Sequence, residues 1–394
     1  MPTRLKGFCQ GGCGKKIYED NRSGLCQACF NNRKHQQSLD LAKREAEGRL
    51  DPLGILKTEN TQLRADLSKA RDVIHTYQSR ARFEDKLLRE VVQFIEGNPY
   101  KPVLVKPSPG TGAKAGAHEM LAHLSDAHYP EQVDPDQTFG LKYDADVCRR
   151  RLEYFRDKVV RYMELRRQVY PLRKLTVNVN GDMISGDIHD ELEVTNQTPI
   201  TESVVRMAYM LFDLGCAFAE SVESVEFIVM PGNHPRLQKK PRFKQKWNNW
   251  EYVMGHMLRA LAGDRFTVTV PKDLVYRFKI FHFNVGVSHG DGIKSNSFAG
   301  IPFYGMRQRQ DALQALLKTT KEMQLDMLCY GHFHQLIYQE GQGCSLFING
   351  SVKGGDEFST GVRYAAQAPV QGLMTFHPKH GMTDLSRINL GHIQ

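Results

Sequence analysis

The 394-residue sequence lacks the features that mark several special classes of protein. It has no run of 18 apolar residues, which argues against a transmembrane helix, and its start, MPTRLKGFC, lacks the apolar segment of a secretory signal. Only 33 glycines and 17 prolines are present, too few for a collagen-like or fully disordered chain. We therefore expect a globular, cytoplasmic protein of two or three domains with no membrane partner.

Disulfide bonds are not expected in that compartment, so the eight cysteines are interpreted as metal ligands or buried thiols. Four of them lie within 21 residues in the spacing C-x3-C-x12-C-x2-C, namely Cys9, Cys13, Cys26 and Cys29. Two short-spaced pairs are typical of a tetrahedral zinc site, so residues 1–32 are predicted to form a zinc ribbon held together by one structural zinc ion. Four independent reduced thiols are the alternative. The other four cysteines are scattered and are expected in the core.

Residues 33–96 are predicted to be a helical dimerisation segment, because a heptad pattern runs through residues 55–96. The a positions are Asn60, Leu67, Ile74, Ala81, Leu88 and Ile95, and the d positions are Leu56, Leu63, Ala70, Tyr77, Glu84 and Val91. Three pairs at g and the next e have opposite charge, namely Glu59 with Arg64, Asp66 with Arg71, and Arg80 with Asp85. This pattern favours a parallel homodimer, and a single amphipathic helix packed on its own chain is the alternative.

Positive charge is concentrated in the N-terminal third of the chain. Residues 1–118 hold 21 basic and 13 acidic residues, whereas residues 119–394 hold 32 and 31. A basic arm beside a neutral body suggests an acidic polymer such as nucleic acid as partner, and solubility is the plainer explanation. Residues 97–118, rich in proline and glycine, are interpreted as a flexible linker.

The remainder, residues 119–394, alternates strand-like and helix-like segments, which predicts one α/β domain. Strands are expected at 119–125, 174–181, 225–231, 284–289, 326–331 and 345–349. Helices are expected at 144–168, 200–220, 248–262 and 306–323.

Five short polar motifs each follow a predicted strand. They are SDAH at 125–128, GD at 181–182, GNH at 232–234, SHG at 288–290 and GHFH at 331–334. Ligands of open α/β sheets bind at the carboxyl ends of the strands, so these motifs are expected to form one site. A single histidine is more often structural, but no packing requirement explains five such motifs in this order.

The residue types in these motifs fit a pair of divalent metal ions. Aspartate, histidine and asparagine are donors that suit manganese, iron or zinc, and one carboxylate can bridge two cations. Asp126 with His128, and His332 with His334, lie two positions apart, which places each pair on one side of an extended segment. Manganese is expected first, with iron, zinc or magnesium as alternatives.

The motifs resemble those of the calcineurin-like binuclear metallophosphoesterases, which carry D-x-H, GD, GNH, a later histidine and GHxH, and the match covers about residues 118–350. The resemblance implies an α/β fold in which a β-sandwich is flanked by helices. The residues implied for one metal ion are Asp126, His128, Asp182 and His334. Those implied for the other are Asp182, Asn233, His289 and His332. His234 would act at the scissile phosphate without binding metal.

The resemblance also implies phosphoester hydrolysis, in which two dications lower the pKa of a shared water and hold the resulting hydroxide for attack on phosphorus. Protein phosphatases of this superfamily carry GD-x-V-D-R-G in the second motif, whereas this chain reads GDMISG. Ser185 replaces the aspartate that would orient the catalytic histidine, and the phosphate-binding arginine is absent, which argues against a protein phosphatase. Asp187 is a candidate for orienting His234.

A basic segment, PRLQKKPRFKQKWNNW, follows His234 and contains the only two tryptophans of the chain. The candidate substrate contacts in it are Arg236, Lys239, Lys240, Arg242, Lys244, Lys246 and Trp247. Cations beside stacking aromatics suit a polyanion that carries bases. A solvated loop, with the tryptophans starting a core helix, is the alternative.

Together, the zinc ribbon, the dimer helix and the basic segment favour nucleic acid, and DNA in particular, as the substrate. Within the superfamily the chain is most similar to SbcD-type DNA repair nucleases, including phage-encoded relatives, which implies a DNA exonuclease or endonuclease, in the host cytoplasm if phage-encoded. A phosphodiesterase or phosphatase acting on RNA or a small nucleotide, and a non-catalytic DNA-binding dimer, are the alternatives.

Overall fold

The structure, a computed structural model, describes residues 5–8, 13, 16–18, 27–46, 52–98, 116–240, 244–293, 301–363 and 368–394. Along the chain it divides into two units, Met1–Lys86 and Leu87–Gln394. The finer division into a ribbon, a dimerisation segment, a linker and an α/β domain stays a prediction.

The first unit begins with a small antiparallel hairpin, in which β1 (Leu5–Phe8) pairs with β2 (Lys16–Tyr18). Helix α1 (Gln27–Ala46) follows, and Cys29 lies in its first turn. Cys13 is exposed, whereas Cys9 and Cys26 lie outside the described residues. The zinc ribbon therefore stays a prediction.

Helix α2 spans Pro52–Gly97, so the predicted heptads lie on one continuous helix. Its proline stands at the first helical position, where the missing N–H costs no hydrogen bond. Most of the predicted linker, residues 99–115, lies outside the described residues.

The second unit is built on two β-sheets with helices between the strands. Its strands are β3 (His118–Leu124), β4 (Leu172–Asn180), β5 (Ser224–Met230), β6 (Thr267–Thr269), β7 (Tyr276–Ile280), β8 (Phe283–Val287), β9 (Met327–Tyr330), β10 (Ile337–Gln339), β11 (Ser345–Ile348), β12 (Val370–His377) and β13 (Gly381–Asn389). Its helices are α3 (Ala145–Arg167), α4 (Asp190–Thr195), α5 (Ile200–Ala219), α6 (Trp250–Ala262) and α7 (Phe303–Thr319), with one π-helical turn at Ser359–Arg363.

One sheet has the strand order β13-β12-β3-β4-β5-β6 and the other has the order β10-β11-β9-β8-β7. The neighbouring strands β3, β4 and β5 run parallel, as do β8 and β9. The carboxyl ends of parallel neighbours meet at the same edge of a sheet, which brings the segments that follow them together.

Strand β5 shows why the sheets stack. Val225, Phe227 and Val229 face the core shared with helices α3, α5 and α6. Ile228 and Met230 face the other way, into a cluster that includes side chains of β8, β9 and β11 from the second sheet. Side chains alternate along a strand, so a continuous apolar run buries both faces of this strand.

Helix α7 covers the outer face of the second sheet, where Met306 and Leu317 pack with Leu328 and Tyr330 of β9. The resulting order of layers is helices, sheet, sheet and helix, which confirms the expected β-sandwich flanked by helices.

The six predicted strands are present within two residues at each end, and Cys148, Cys216, Cys329 and Cys344 are buried as expected. Among the described residues, none of the helices has the length and apolar character needed to cross a bilayer.

Candidate metal centre

The five polar motifs meet at one edge of the sandwich, where backbone hydrogen bonds join their loops. The N–H groups of Asp126 and His128 donate to the carbonyls of Gly181 and Asp182, at 3.0 and 2.9 Å. The N–H of His332 donates to Oδ1 of Asp126 at 3.0 Å, which joins the loop after β9 to the loop after β3. The parallel strands of both sheets thus deliver their polar segments to one place.

The first group of candidate ligands consists of Asp126, His128 and His334, whose ligand atoms lie within 4.8 Å of one another. The Nε2 atoms of the two histidines are 3.1 Å apart, and Nε2 of His334 lies 3.4 Å from Oδ1 of Asp126. Asp126 and His128 are buried, and burial holds the pKa of His128 well below its usual range. Two imidazole nitrogens facing each other beside a buried carboxylate fit a shared divalent cation, which would satisfy both lone pairs.

The second group consists of Asp182, His289 and His332, again within 4.8 Å. Nε2 of His289 lies 2.9 Å from Oδ2 of Asp182 and 3.2 Å from Oδ1 of Asn233. The ring's Nδ1 faces the carbonyl of Asn180 at 2.7 Å, and a carbonyl only accepts, so Nδ1 carries the proton. Nε2, which faces the Asp182 carboxylate, is therefore the atom that a metal ion would bind by displacing a proton, and the hydrogen bond at Nδ1 fixes the orientation of the ring.

Asp182 belongs to more than one group, since it also lies within 4.8 Å of His128 and His234. Burial raises its pKa, but the charge of the neighbouring His289 outweighs burial and holds the pKa well below the usual range. Burial likewise lowers the pKa of His289, and the Asp182 carboxylate reverses this and raises it to about 10. Asp182 is thus a buried, ionised carboxylate between two sets of donors, as a bridging ligand must be.

Five of the predicted ligands adopt left-handed backbone conformations that L-residues rarely use. Their φ angles are +56° at Asp126, +49° at His128, +50° at Asp182, +66° at His332 and +56° at His334. Each such conformation costs of order 1–3 kcal/mol and persists only where the surrounding structure enforces it. Their concentration in three loops makes this edge of the sandwich a candidate functional site.

Two glycines allow the second and third motifs to approach each other. A Cβ on Gly181, where φ is +81°, would lie 2.5 Å from Nδ1 of His289 and 2.6 Å from Cα of Gly232. A Cβ on Gly232 would lie 2.1 Å from Oδ1 of Asp182. The GD and GNH motifs therefore need glycine for close packing around the Asp182 carboxylate.

His234, the predicted catalytic residue, is held by two hydrogen bonds. Its backbone N–H donates to Oδ1 of Asp182 at 2.8 Å, and its Nδ1 faces the carbonyl of Ser185 at 3.1 Å. The carbonyl of Ser185 thus orients the ring, and Asp187, the residue proposed for this from sequence, is exposed. Burial lowers the pKa of His234, so the neutral ring with an unprotonated Nε2 is favoured at neutral pH.

Two buried ionisable groups that were not predicted from the sequence support the loops. The carboxylate of Glu251 accepts hydrogen bonds from the N–H groups of Met183, Ile184 and Gly232, at 2.5, 3.3 and 2.6 Å. It thereby joins the GD and GNH motifs, and burial, with Asp182 nearby, raises its pKa to about 8. No sequence signal distinguished Glu251, because its partners are backbone N–H groups of distant loops.

The second missed group is Lys353, whose ammonium contacts both carboxylate oxygens of Glu131 at 3.0 Å and Oδ2 of Asp356 at 2.5 Å. Glu131 in turn lies near the first cluster, with Oε2 3.9 Å from Nδ1 of His128. The loop after β11 is thus fastened to the loop after β3 beside the candidate ligands.

Several cations of the basic segment are engaged within the protein. The guanidinium of Arg236 donates to the carbonyls of Asn233, Gln238 and Lys239, at 2.9, 2.8 and 2.7 Å, so it shapes its own loop. Lys239 pairs with Asp190.

Farther along this segment, Lys246 pairs with Asp291 at 2.5 Å, and Trp247 lies under the ammonium of Lys272, 5.4 Å from the ring centre. Arg242 lies outside the described residues. Lys240 and Lys244 are exposed and line a cavity of about 50 Å³.

Comparison with known proteins found no matching family model and no matching curated protein. Among solved structures, wild-type Vps29 with Zn²⁺ from Entamoeba histolytica shows 14% identity and a TM-score of 0.30, covering 69% of this chain and 99% of that one. A novel archaeal phosphodiesterase shows 12% identity and a TM-score of 0.30, covering 68% of this chain and 99% of that one. A conserved uncharacterized protein of Streptococcus pneumoniae, a predicted phosphoesterase, shows 10% identity and a TM-score of 0.28, covering 70% of this chain and 99% of that one. At these values the likeness assigns neither a family nor an activity to this chain.

Proposed function

We propose that this chain is a two-metal phosphodiesterase of the calcineurin-like superfamily that acts on nucleic acid. The observation that carries the proposal is the convergence of two groups of buried and half-buried aspartate and histidine donors around Asp182, with His234 beside them. Bound divalent cations would supply an activated water and would neutralise the charge that develops on the phosphoryl oxygens.

The chain's own groups complete the chemistry. The Ser185 carbonyl holds Nδ1 of His234, and the Asp182 carboxylate accepts a hydrogen bond from the His234 backbone N–H. Nε2 therefore stays available to exchange a proton with the leaving oxygen. Burial favours the neutral ring, and an arriving anionic phosphate favours the protonated one. Proton donation by His234 is therefore coupled to substrate binding.

Lys240 and Lys244 support nucleic acid as the substrate. They are exposed and line a small cavity together with Asn233, a candidate metal ligand. A phosphate next to the scissile one would meet these ammonium groups, whereas a small aryl diester has no such phosphate. This supports a DNA nuclease of the SbcD type, and an RNA or small-nucleotide phosphodiesterase is the alternative.

The test is hydrolysis by the full-length protein with Mn²⁺, Mg²⁺, Fe²⁺ or Zn²⁺. The substrates are bis(p-nitrophenyl) phosphate, end-labelled linear DNA, circular DNA and RNA. We expect His234→Ala to lower kcat on all cleaved substrates by about 100-fold or more, with DNA binding retained. The matched control is His282→Ala, since His282 is exposed and its ring nitrogen faces the carbonyl of Pro378. The proposal fails if no metal supports diester hydrolysis or if His234→Ala is as active as the control.

Substrate class is tested separately with Lys240→Ala and Lys244→Ala. We expect these changes to raise KM for DNA about five-fold or more, and to affect KM for the aryl diester less. Equal effects on both substrates would contradict the role of these lysines. Cleavage of RNA or cyclic nucleotides alone would favour the alternative substrate.

We also propose that α2 forms a parallel homodimer. Five large apolar side chains at predicted a and d positions are at least half exposed, namely Leu56, Leu63, Leu67, Ile74 and Tyr77. A second copy in register would cover this stripe, and the oppositely charged g and e positions would then face each other. We expect Ile74→Glu to yield monomers in light scattering, whereas Thr76→Glu, at a c position on the outer face of the helix, stays dimeric. A monomeric wild type would refute the proposal.

The cysteines of residues 1–32 are proposed to bind one structural zinc ion in a module that docks on nucleic acid. We expect one zinc per chain by elemental analysis in addition to the metals of the active site. Removing residues 1–30 is expected to weaken DNA binding and its salt dependence. An unchanged salt dependence would contradict the docking role.

A further inference from the structure

A groove of about 510 Å³ lies apart from the metal centre, between helix α3 and the end of strand β13. The side chains that matter in it are Tyr154, Lys158, Arg161, Tyr162, Arg387 and His392. Among the residues that the structure describes, its lining includes none of the candidate metal ligands and none of the basic segment that follows His234. Its volume is in the range of ordinary small-molecule and cofactor pockets.

The groove is positively charged. Helix α3 carries eight basic and four acidic residues, and several of its arginines are engaged in the fold. Arg151, for example, donates to the carbonyls of Val352, Lys353 and Ile393. Of the described residues that line the groove, three are permanently charged cations and none is a carboxylate.

Two of these cations are open to a ligand. Arg161 has one partner, Glu164 at 3.2 Å, in a pair exposed enough to contribute little. Arg387 is exposed and makes no ion pair within the described part of the chain. An anionic group that enters the groove would therefore compete with only one weak ion pair, that of Arg161 with Glu164.

Aromatic rings lie beside these charges. Tyr154 and Tyr162 are eight residues apart, which places them on one face of α3, and each ring packs partly against the helix-side core. The Lys158 ammonium lies 5.0 Å from the centre of the Tyr154 ring, and the His392 ring meets Tyr154 edge-on at 4.5 Å. The rings are thus held in place from behind while the groove beside them stays open.

We propose that this groove is a second, non-catalytic site for a nucleotide unit, with Arg161 and Arg387 binding the phosphate and a tyrosine ring stacking on the base. A bare polyanion would need only the cations, and an apolar ligand would need only the rings. The combination of the two in one cavity is what a nucleotide requires. The unit is either a free nucleotide or part of a single strand.

The groove is tested without metal, so that failure here is separate from failure of the proposed hydrolysis. Full-length protein in EDTA is titrated into a fluorescein-labelled oligothymidylate of about 12 nucleotides, and anisotropy is recorded. We expect Arg387→Ala to weaken binding about five-fold or more and to reduce the salt slope by about 0.7. Arg149→Ala is the matched control, because Arg149 lies on the same helix but pairs with Asp146 and Glu153 outside the groove.

The ring contribution is tested with Tyr162→Leu, which we expect to weaken binding about five-fold or more, while Tyr162→Phe, which keeps the ring, binds as the wild type does. Thermal unfolding of each variant shows that it is folded. Competition then separates the sources, since AMP displaces the oligonucleotide if the site takes free nucleotides and fails to do so if it needs a strand.

Two outcomes would overturn the assignment. One is an affinity for Arg387→Ala equal to that of Arg149→Ala. The other is displacement by inorganic phosphate as effective as that by AMP, together with unchanged binding by Tyr162→Leu.

Discussion

Replacing the buried lysine Lys353 by methionine tests how the loops of the candidate metal centre are held. Its ammonium contacts Glu131 twice at 3.0 Å and Asp356 at 2.5 Å. The side chain of Lys353 is 2% exposed, and those of its partners are 8% and 15% exposed. The change keeps most of the apolar stem and removes only the charge that both carboxylates face.

The expected loss follows from what the substitution leaves behind. Asp356 keeps a hydrogen bond from the N–H of Ser359 at 2.7 Å and has some access to water. Glu131 is more deeply buried and loses its cation, and breaking one side of a buried ion pair typically costs about 3–5 kcal/mol. We therefore expect Lys353→Met to lower the free energy of unfolding by about this amount.

Guanidinium unfolding followed by circular dichroism measures the loss. The matched control is Lys174→Met, since Lys174 pairs with Glu226 at 2.6 Å but the two side chains are 28% and 20% exposed. That pair is expected to contribute about 1 kcal/mol. Adding Glu131→Gln to Lys353→Met should recover part of the loss, because it removes the stranded charge. A loss from Lys353→Met no larger than that of the control would refute the reasoning.

Three further predictions concern the same region. Burial opposes ionisation of Asp356, but its lysine partner holds the pKa below its usual value. The stabilisation lost in Asp356→Asn should therefore be constant above about pH 6 and should shrink as the pH falls through about 4, in unfolding curves recorded at each pH. Gly232→Ala puts a Cβ 2.1 Å from the Asp182 carboxylate and should lower Mn²⁺ affinity about ten-fold or more by calorimetry, whereas Gly97→Ala, with no atom within 4 Å, should not. Glu251→Gln places an amide donor against backbone N–H groups and should cost about 1–3 kcal/mol in unfolding, and an unchanged stability would refute its role.

Much of the sandwich and of its polar edge was predictable because the signals are local. The central strands are buried on both faces, so each appears as a short apolar run, as in EFIVM of β5. The candidate ligands directly follow such runs, and residues such as Asp126 and His332 stand out by type and spacing alone. The two C-terminal strands β12 and β13 were not predicted, and in β13, which lies at the edge of its sheet, polar residues break the apolar pattern.

The sequence by itself determined which residues have the donor atoms that suit metal ions and the order in which strands present them. Only the tertiary structure decided their supports, because those partners lie far apart in the chain or belong to the backbone. Lys353 meets Glu131 across 222 residues, and His234 is oriented by the carbonyl of Ser185, a group that every residue possesses. The charge of Arg236 predicts a substrate contact, yet its guanidinium donates hydrogen bonds to carbonyls of its own loop. The sequence gives the charge and type of each residue directly, whereas the partner of each side chain depends on how the chain folds.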